Sequence, residues 1–573
     1  MSQPRLLLRV MLLSAFVCST LSLETGATRA AELLHDPKSV RGGLVVSVDP
    51  VASEIGARVL ERGGNAVDAA VAVGFALAVT YPRAGNIGGG GFMVVRMAKG
   101  PRAFMVDYRE KAPAAAKADL FLDEDGKLDQ AKATLGWLAV GVPGTPMGLW
   151  LAHQEAGNLP WEQLVDPAIK LAQEGFVVDD VVARGLASQR QIFDQMGEPA
   201  KVYFPDGEPP KAGTRLKLPE LAESLRRIRD EGPAGFYTGR TAELLASAMK
   251  SNGGIMTTED LASYKAVLRD PVRGTYRGFD ILSVAPPSSG GTVITEVLNI
   301  LEGRDVKAMG PTSAERYHLL AEAMKRAYYD RAKHLGDPDH SDIPVDRLTS
   351  KEHAELLHKS INARATPSDT LGADILTKSE SEETTHFSVI DAEGNAVSNT
   401  YTLEGNYGAK VIAPGTGFLL NNEMGDFNRK PGLTNRSGLI GTSPNLIAPG
   451  KRMLSSQSPT IVLKDGNPFL VIGSPGGRTI PNTVLQVIAN VIDHDMEIQA
   501  AIDAPRIHHQ WQPDLLYLEK GVPESTAEAL REKGHRVGRR GSQGDCHAIF
   551  VDPKTGAYVP GIDRRIRGSA VGF

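Results

Sequence analysis

Residues 384–391 read Thr-Thr-His-Phe-Ser-Val-Ile-Asp, and they begin where a polar run, TKSESEE at residues 377–383, stops. Seven residues without an apolar side chain cannot be buried cheaply, so we expect this run to be an exposed linker or loop tip. The pattern then changes to that of a strand, with a turn at residues 392–395 and a returning strand over residues 396–403. The sequence therefore predicts a hairpin that starts directly after an accessible linker.

Thr384 lies at this junction, and its hydroxyl group suggests a specific chemistry. A Thr hydroxyl is a poor nucleophile unless a base lies beside it, and a free α-amino group on the same residue is one such base. A cut directly before Thr384 would create that amino group. The simpler interpretation is that Thr384 and Thr385 only begin an edge strand, and the surrounding sequence has to decide between the two.

Upstream of the hairpin, helical and strand patterns alternate. Residues 53–62 have helical spacing and stop at two glycines, after which Asn65 and Asp68 predict a capped second helix that continues to residue 79. Farther along, Thr312 and Glu315 predict a capping box that opens a long helix ending near His334. This alternation favours a large mixed α and β core.

The glycine-rich stretch at residues 85–91 invites comparison with a phosphate-binding loop. No Lys-Ser/Thr pair follows the glycines, and the strand pattern of residues 92–96 comes after them rather than before. A glycine turn leading into a strand is the better interpretation.

Composition limits the class of protein. The chain has 573 residues, 42% hydrophobic and 23% charged, which is typical of folded soluble proteins, either as three or four domains or as one interlocked unit. Its net charge of -5 lacks the basic excess that nucleic-acid backbones require. We therefore expect no nucleic-acid partner.

The first 30 residues have the pattern of a signal peptide. Arg5 and Arg9 precede an apolar stretch, and Thr28-Arg29-Ala30 places small residues at the positions that a signal peptidase reads. The apolar stretch is shorter than the roughly 20 residues that a membrane-spanning helix needs, which argues against the alternative of an anchor. We expect a cleaved signal peptide at residues 1–30, a periplasmic or secreted product and no stable membrane span.

Several short motifs occur in a fixed order along the chain, and together they resemble the γ-glutamyltranspeptidases. They lie at residues 63–70, 88–92, 108–113, 141–144, 384–391, 419–427, 454–460, 473–477 and 504–510. Each motif alone is weak evidence. The ordered set covers nearly all of the chain after residue 35 and is highly specific.

The resemblance implies an α+β protein with the four-layer αββα fold of N-terminal-nucleophile hydrolases. Such proteins are made as a single precursor that cuts itself, which here implies a large subunit of residues 31–383 and a small subunit of residues 384–573 that stay together as a heterodimer. Thr384 is implied as the catalytic nucleophile. Thr402 is implied to hydrogen-bond the Thr384 hydroxyl and to orient it, whereas the plainer interpretation of Thr402 is a strand residue.

The resemblance also implies residues that bind the two charged ends of a γ-glutamyl group. Its α-carboxylate would be bound by Arg109, whose planar fork suits a carboxylate better than Lys does, and by the hydroxyls of Ser455 and Ser456. Glu423 and Asp426 would face the α-ammonium group.

The oxyanion of the reaction is implied to form beside a glycine pair. Gly476 and Gly477 would offer two backbone N–H groups, which requires a close approach free of side chains. Otherwise this pair is only a turn.

Two departures from the family pattern affect substrate preference. Glu404 occupies a position where many members carry Asn, and as the second residue after Thr402 it should share that strand face and join the other carboxylates around the ammonium group. Ser437 occupies a position where an aromatic residue closes the site in some bacterial members, although the lid loop, residues 430–451, is present.

Two other motifs suggest different chemistry and are set aside. His508 and His509 are neighbours that would point to opposite faces of a strand, and no third ligand falls at a suitable spacing, so we assign no metal. Ser455 and Ser456 lack the Gly-x-Ser-x-Gly elbow of a serine hydrolase. We expect no cofactor.

The sequence thus favours a γ-glutamyltransferase and hydrolase that forms an ester on Thr384 and passes it to water, an amino acid or a dipeptide. Glutathione is the expected donor. One alternative is a related acylase for glutaryl side chains, such as those of cephalosporins, whose donor lacks the ammonium group. The other is an exported binding protein that never cuts itself.

Overall fold

The predicted hairpin lies in the middle of an antiparallel sheet. It is seen in a computed structural model of the chain, which describes residues 32–100, 102–372, 377–378, 384–434, 436–437 and 440–573. The first strand of the hairpin, Thr385–Asp391, pairs with the second, Ala396–Thr402, so that Thr385 lies opposite Tyr401. The hairpin prediction is confirmed, and the returning strand ends one residue earlier than expected.

Two antiparallel sheets form the centre of the described chain. The strands of the eight-stranded sheet follow the order Leu34–His35, Ser569–Gly572, Gly43–Ser47, Thr385–Asp391, Ala396–Thr402, Gly90–Arg96, Ala103–Asp107 and Val267–Arg269. Those of the six-stranded sheet follow the order Tyr558–Ile562, His547–Val551, Asn467–Gly473, Thr460–Lys464, Phe279–Ser283 and Val272–Tyr276. Both sheets therefore contain strands from before and after residue 384, and in the eight-stranded sheet the two sets interleave.

The two sheets pack face to face, and helices cover both outer faces. Successive side chains of a strand point to opposite faces, and here Val46 and Ile390 enter the core between the sheets while Val45 and Val389 pack under helices. The eight-stranded sheet is covered by Pro50–Glu61, Ala66–Thr80, Thr145–Ala156, Trp161–Glu174, Asp180–Ser188, Pro219–Glu231 and Gly239–Ser251. The six-stranded sheet is covered by Gly290–Glu302, Ala314–His334, Lys351–Lys359, Ile480–His494 and Glu524–Glu532. The layers are αββα, as expected.

Local signals set the starts of two of these helices. Asn65 accepts hydrogen bonds from the backbone N–H groups of Val67 and Asp68, and the Asp68 side chain accepts one from Asn65, so the predicted capping box is confirmed. The capping box predicted at Thr312 is wrong. The long helix is capped by the next residue, Ser313, whose hydroxyl accepts from the backbone N–H of Arg316.

Some sequence predictions fall outside the described residues. These are the signal peptide at residues 1–30 and residues 379–383 of the linker. The first two linker residues, Thr377–Lys378, form a short parallel strand pair with Arg436–Ser437 of the lid loop. Among the described residues, we find no helix that is both long and apolar enough to cross a membrane.

Candidate active site

Thr384 is the residue directly before the central strand, and its surroundings follow from the register of the hairpin. Because Thr385 lies opposite Tyr401, one further step of the antiparallel register places Thr384 opposite Thr402. Both threonines are buried, with Thr384 6% exposed, and both line one cleft. The Thr402 hydroxyl accepts a hydrogen bond of 2.8 Å from the backbone N–H of Glu404.

The cleft collects residues that are far apart in the sequence. Nine of the ten predicted site residues line it: Arg109, Thr384, Thr402, Glu404, Glu423, Asp426, Ser455, Ser456 and Gly477. The tenth, Gly476, is the neighbour of Gly477. Gln457 and Ile480 also line the cleft and were not predicted.

Arg109 is buried at the centre of a cluster of carboxylates. Its Nη1 lies 2.7 Å from Glu423 Oε2 and 3.6 Å from Glu110 Oε2, and its Nη2 donates to Asp426. Its Nε donates to the Met453 carbonyl at 3.3 Å. The cation expected to bind one end of the donor is therefore in contact with two carboxylates expected to bind the other end.

One guanidinium cannot fully offset several buried carboxylates. Burial holds the pKa of Glu423 well above its usual range; Arg109 opposes this, and the charges of Glu110, Asp426 and Glu404 add to it. Burial likewise raises the pKa of Glu110 to about 8, against the lowering effect of Arg109. Near neutral pH, the carboxylates of this cluster therefore favour binding a proton.

Two asparagines hold the loop that carries Glu423. The Asn421 side chain donates to the Gly88 and Gly141 carbonyls and accepts from the Gly141 N–H, which joins three of the quoted motifs. The Asn422 side chain donates to Glu404 and accepts from the Gly405 N–H. These contacts explain why motifs distant in sequence meet at one cleft.

Glu404 reaches the cleft by a different route from the one predicted. The strand ends at Thr402, so Glu404 does not continue its face, and that part of the prediction is wrong. Glu404 has a φ of 75°, in the left-handed region that Asn adopts more readily than Glu. Its buried side chain nevertheless lines the cleft together with Glu423 and Asp426.

The serine pair is held from behind by a buried arginine. Arg331 donates from Nη2 to the Ser456 hydroxyl at 3.0 Å and from Nε to the Ser289 hydroxyl at 2.9 Å. The Ser455 hydroxyl accepts from the Gln457 backbone N–H at 3.1 Å. Since a hydroxyl that accepts a hydrogen bond keeps its own proton to donate, both serines can still donate to a bound group.

The glycine pair forms a turn at the start of the helix Ile480–His494. Gly476 has a φ of 129° and Gly477 a φ of 53°, and a Cβ on Gly476 would lie only 2.6 Å from Thr479 Oγ1. Side chains are therefore excluded at Gly476 by both conformation and space. The turn places backbone N–H groups near a helix N-terminus, which favours negative charge.

Besides the apolar Ile480, three polar or charged residues in or beside the cleft were missed by sequence reasoning: Glu110, Arg331 and Gln457. Glu110 and Gln457 lie inside quoted motifs, next to Arg109 and Ser456, and that adjacency was the available signal. The Gln457 side chain is buried, and neither its nitrogen nor its oxygen has a hydrogen-bond partner in the part of the chain that the structure describes. Arg331 comes from a helix that showed only an ordinary core pattern.

The known proteins that this chain resembles match it over all the residues that line the cleft. A family model described as Gamma-glutamyltranspeptidase matches residues 52–573. The glutathione hydrolase proenzyme of Escherichia coli is 45% identical over 544 residues, which span 95% of this chain and 94% of that protein. The acylase ACY 1 proenzyme of a Pseudomonas species, strain SE83, is 39% identical over 535 residues, or 92% of this chain and 93% of that protein.

A solved structure supports the same fold. The cephalosporin acylase from Bacillus halodurans superposes with a TM-score of 0.83 at 27% identity, covering 96% of this chain and 98% of that one. With the two packed sheets and their outer helices, this match confirms the expected N-terminal-nucleophile hydrolase fold.

Proposed function

The chain belongs to the γ-glutamyltranspeptidase family, and on that basis we propose that it is a γ-glutamyltransferase and glutathione hydrolase. The observation that carries the proposal is the set of side chains that line the cleft. A threonine directly before the central strand lies there with a buried arginine, two serines and three carboxylates. These groups match a donor that has a carboxylate and an ammonium at one end and an amide at the other.

Thr384 becomes the nucleophile when the precursor cuts itself. Its hydroxyl oxygen attacks the carbonyl carbon of Glu383, the peptide C–N bond breaks as an ester forms, and water then hydrolyses that ester. The products are a large subunit of residues 31–383, a small subunit of residues 384–573 and a free α-amino group on Thr384. The proenzyme name of the Escherichia coli relative supports this processing.

The free amino group then serves as the base for catalysis. It takes the proton of the Thr384 hydroxyl as the oxygen bonds to the γ-carbonyl carbon of the donor, and the proton passes to the departing amine as the amide bond breaks. Backbone N–H groups of Gly476 and Gly477 stabilise the oxyanion. Water, an amino acid or a dipeptide attacks the resulting ester and releases Thr384, while Thr402 orients the hydroxyl.

The charged residues hold the amino-acid end of the donor. Arg109 has five N–H groups and contacts Glu423, Asp426 and the Met453 carbonyl with only some of them, so it can also hold the donor α-carboxylate. Ser455 and Ser456 donate to the same carboxylate. Glu423, Asp426 and Glu404 surround the ammonium group, and no metal or other cofactor takes part.

A glutaryl acylase is the competing function, and the carboxylates argue against it. A glutaryl donor has no ammonium group, so binding it would leave Glu404, Glu423 and Asp426 facing one another without a second cation. The greater identity to a glutathione hydrolase than to an acylase points the same way. The sequence pattern of residues 1–30 further supports export to the periplasm or beyond.

The deciding experiment compares two chromogenic donors with the same leaving group. We expect γ-glutamyl-p-nitroanilide to be cleaved, and to be cleaved faster when a dipeptide acceptor is added. Glutaryl-p-nitroanilide, which lacks only the ammonium, should react far more slowly. Preference for the glutaryl donor would establish an acylase instead, and an uncut chain that binds but cleaves neither would establish a binding protein.

Glu404→Gln is expected to move the acid limb of kcat/KM to lower pH. Glu423 has to be charged to hold the donor ammonium, so activity at low donor concentration falls as the pH drops through its raised pKa. The Glu404 charge contributes to that rise, and removing it lowers the pKa of Glu423. Donor affinity at neutral pH should weaken modestly, because one carboxylate is lost. Rate profiles between about pH 4 and pH 9 measure both effects.

A glutamate remote from the cleft serves as the control for this shift. Glu528 is exposed on the helix Glu524–Glu532, and Glu528→Gln should leave the profile unchanged. If the profiles of Glu404→Gln and the parent protein superimpose, Glu404 is not coupled to Glu423.

A further inference from the structure

Three helices over the six-stranded sheet bring together a second group of ionisable side chains. Glu296 lies on Gly290–Glu302, Asp330 on Ala314–His334 and His353 on Lys351–Lys359. One carboxylate oxygen of each acid and a ring nitrogen of the histidine all lie within 4.8 Å of one another. None of the three lines the cleft that contains Thr384.

Glu296 is the unusual member of this group. Glu296 is 1% exposed, and in its ionised form neither carboxylate oxygen accepts a hydrogen bond from a donor within the described ranges; a hydrogen bond to Asp330 requires a proton on one of the two acids. A buried carboxylate without a hydrogen bond is costly unless a proton or a cation compensates it. Burial, the charge of Asp330 and a side-chain hydrogen bond with Asp330 hold the pKa of Glu296 well above its usual range, while Arg347 opposes the rise.

The spacing of the three groups fits a small metal ion. His353 Nε2 lies 2.8 Å from Asp330 Oδ2. Metal–ligand bonds of about 2.0–2.2 Å separate the ligands of a tetrahedral ion by roughly 3.3–3.6 Å, so small side-chain shifts would suffice. A ring nitrogen with two carboxylates is a donor set suited to Zn²⁺ or Co²⁺, and Mg²⁺ prefers oxygen ligands alone.

Two further side chains border the cluster, and His334 is a candidate fourth ligand. His334, one turn after Asp330 on the same helix, has its Nε2 3.9 Å from Asp330 Oδ1 and its side chain is partly exposed. The exposed Arg347 donates to His334 Nε2 at 3.2 Å and can turn outward. Charge favours a cation, because two carboxylates face a single arginine and histidines that are neutral when they act as ligands.

We propose that Glu296, Asp330 and His353 form a binding site for a divalent transition-metal ion of the Zn²⁺ type. The ion joins three helices of one outer layer. It compensates the charge of the buried Glu296 carboxylate. The role is structural, since the ligands lie outside the catalytic cleft.

Metal binding to the processed, tag-free protein tests the proposal. After treatment with a chelator and its removal, Co²⁺ is titrated while its visible absorption is followed, and Zn²⁺ is then added in competition. We expect one saturable Co²⁺ equivalent per large subunit, displaced by Zn²⁺, and no displacement by Mg²⁺ at the same concentration. Zn²⁺ should also raise the melting temperature.

Matched variants assign the site. Glu296→Gln keeps the shape of the protonated acid, and both it and His353→Gln should weaken Co²⁺ binding at least about tenfold and abolish the Zn²⁺ effect on melting. His340→Gln is the control, because His340 forms a similar 3.0 Å pair with Asp337 but belongs to no such cluster among the residues that the structure describes. Activity toward the γ-glutamyl donor verifies that each variant is folded. Absence of saturable binding, or binding that both variants retain, overturns the proposal and leaves Glu296 as a protonated core residue.

Discussion

Thr384→Ala is expected to accumulate as one uncut chain with no measurable γ-glutamyl transfer. The substitution removes the hydroxyl that attacks the preceding peptide bond and also removes the nucleophile of the catalytic step. Loss of a nucleophile from such a constellation lowers kcat on the order of 10⁴–10⁶-fold. A denaturing gel, mass spectrometry of the new N-terminus and the chromogenic assay together measure the outcome.

The neighbouring threonine provides a matched control for this result. Thr385 is also buried and pairs with Tyr401, but it is the first residue of the strand rather than the residue before it. Thr385→Ala should still yield two fragments and retain activity. Two fragments from Thr384→Ala, with a new N-terminus at position 384, would mean that another protease makes the cut and that the proposed mechanism is wrong.

Arg109→Lys is expected to raise KM for the γ-glutamyl donor far more than it lowers kcat. The fork of Arg109 contacts Glu423, Asp426 and the Met453 carbonyl in different directions, and a single ammonium group cannot reproduce these contacts and also bind a carboxylate in two places. Disrupting one partner of a buried charge pair costs about 2–5 kcal/mol, or roughly 30- to 5,000-fold in affinity. Lysine keeps the charge, so the lower part of that range is expected.

An arginine with a similar environment outside the cleft separates binding from stability. Arg269 lies 2.8 Å from both Asp107 and Asp339. Arg269→Lys should lower the melting temperature without changing KM. Unchanged steady-state kinetics for Arg109→Lys would remove Arg109 from the donor site.

The sequence predicted those parts of the protein that depend on local patterns or on ordered motifs. The hairpin at residue 384 and the cap at Asn65 are local features, and both are confirmed. Thr312 and Ser313 can both cap a helix, and the pattern alone did not identify Ser313 as the cap. The prediction that Glu404 shares the strand face of Thr402 was wrong, because the strand ends before Glu404, whose φ is positive. The periodicity of the sequence does not indicate where a backbone φ becomes positive.

Contacts that arise only in the folded chain could not be read from the sequence. Arg331 looks like any residue of a long helix, and its hydrogen bond to Ser456 depends on how that helix crosses the serine loop. The contact between Arg109 and Glu423 could not be predicted either. The sequence assigned Arg109 to the carboxylate of the donor and Glu423 to its ammonium group, and nothing in the sequence indicated that the two side chains touch. The residues of the cluster at Glu296 lie on three different helices, so the spacing of residues within one motif could not predict it.

In the eight-stranded sheet, strands from before and after residue 384 are interleaved, and this has a consequence for how the mature protein unfolds. Thr385–Asp391 lies between Gly43–Ser47 and Ala396–Thr402, and Ser569–Gly572 lies between Leu34–His35 and Gly43–Ser47. A cut ahead of Thr384 would turn one polypeptide into two that are threaded through a common sheet, so refolding would become a second-order reaction that slows with dilution. The stability of the cut protein would then be kinetic, because it would depend on the rate of unfolding and not on a reversible folding equilibrium. A molecule that unfolds would separate into two chains and would not refold.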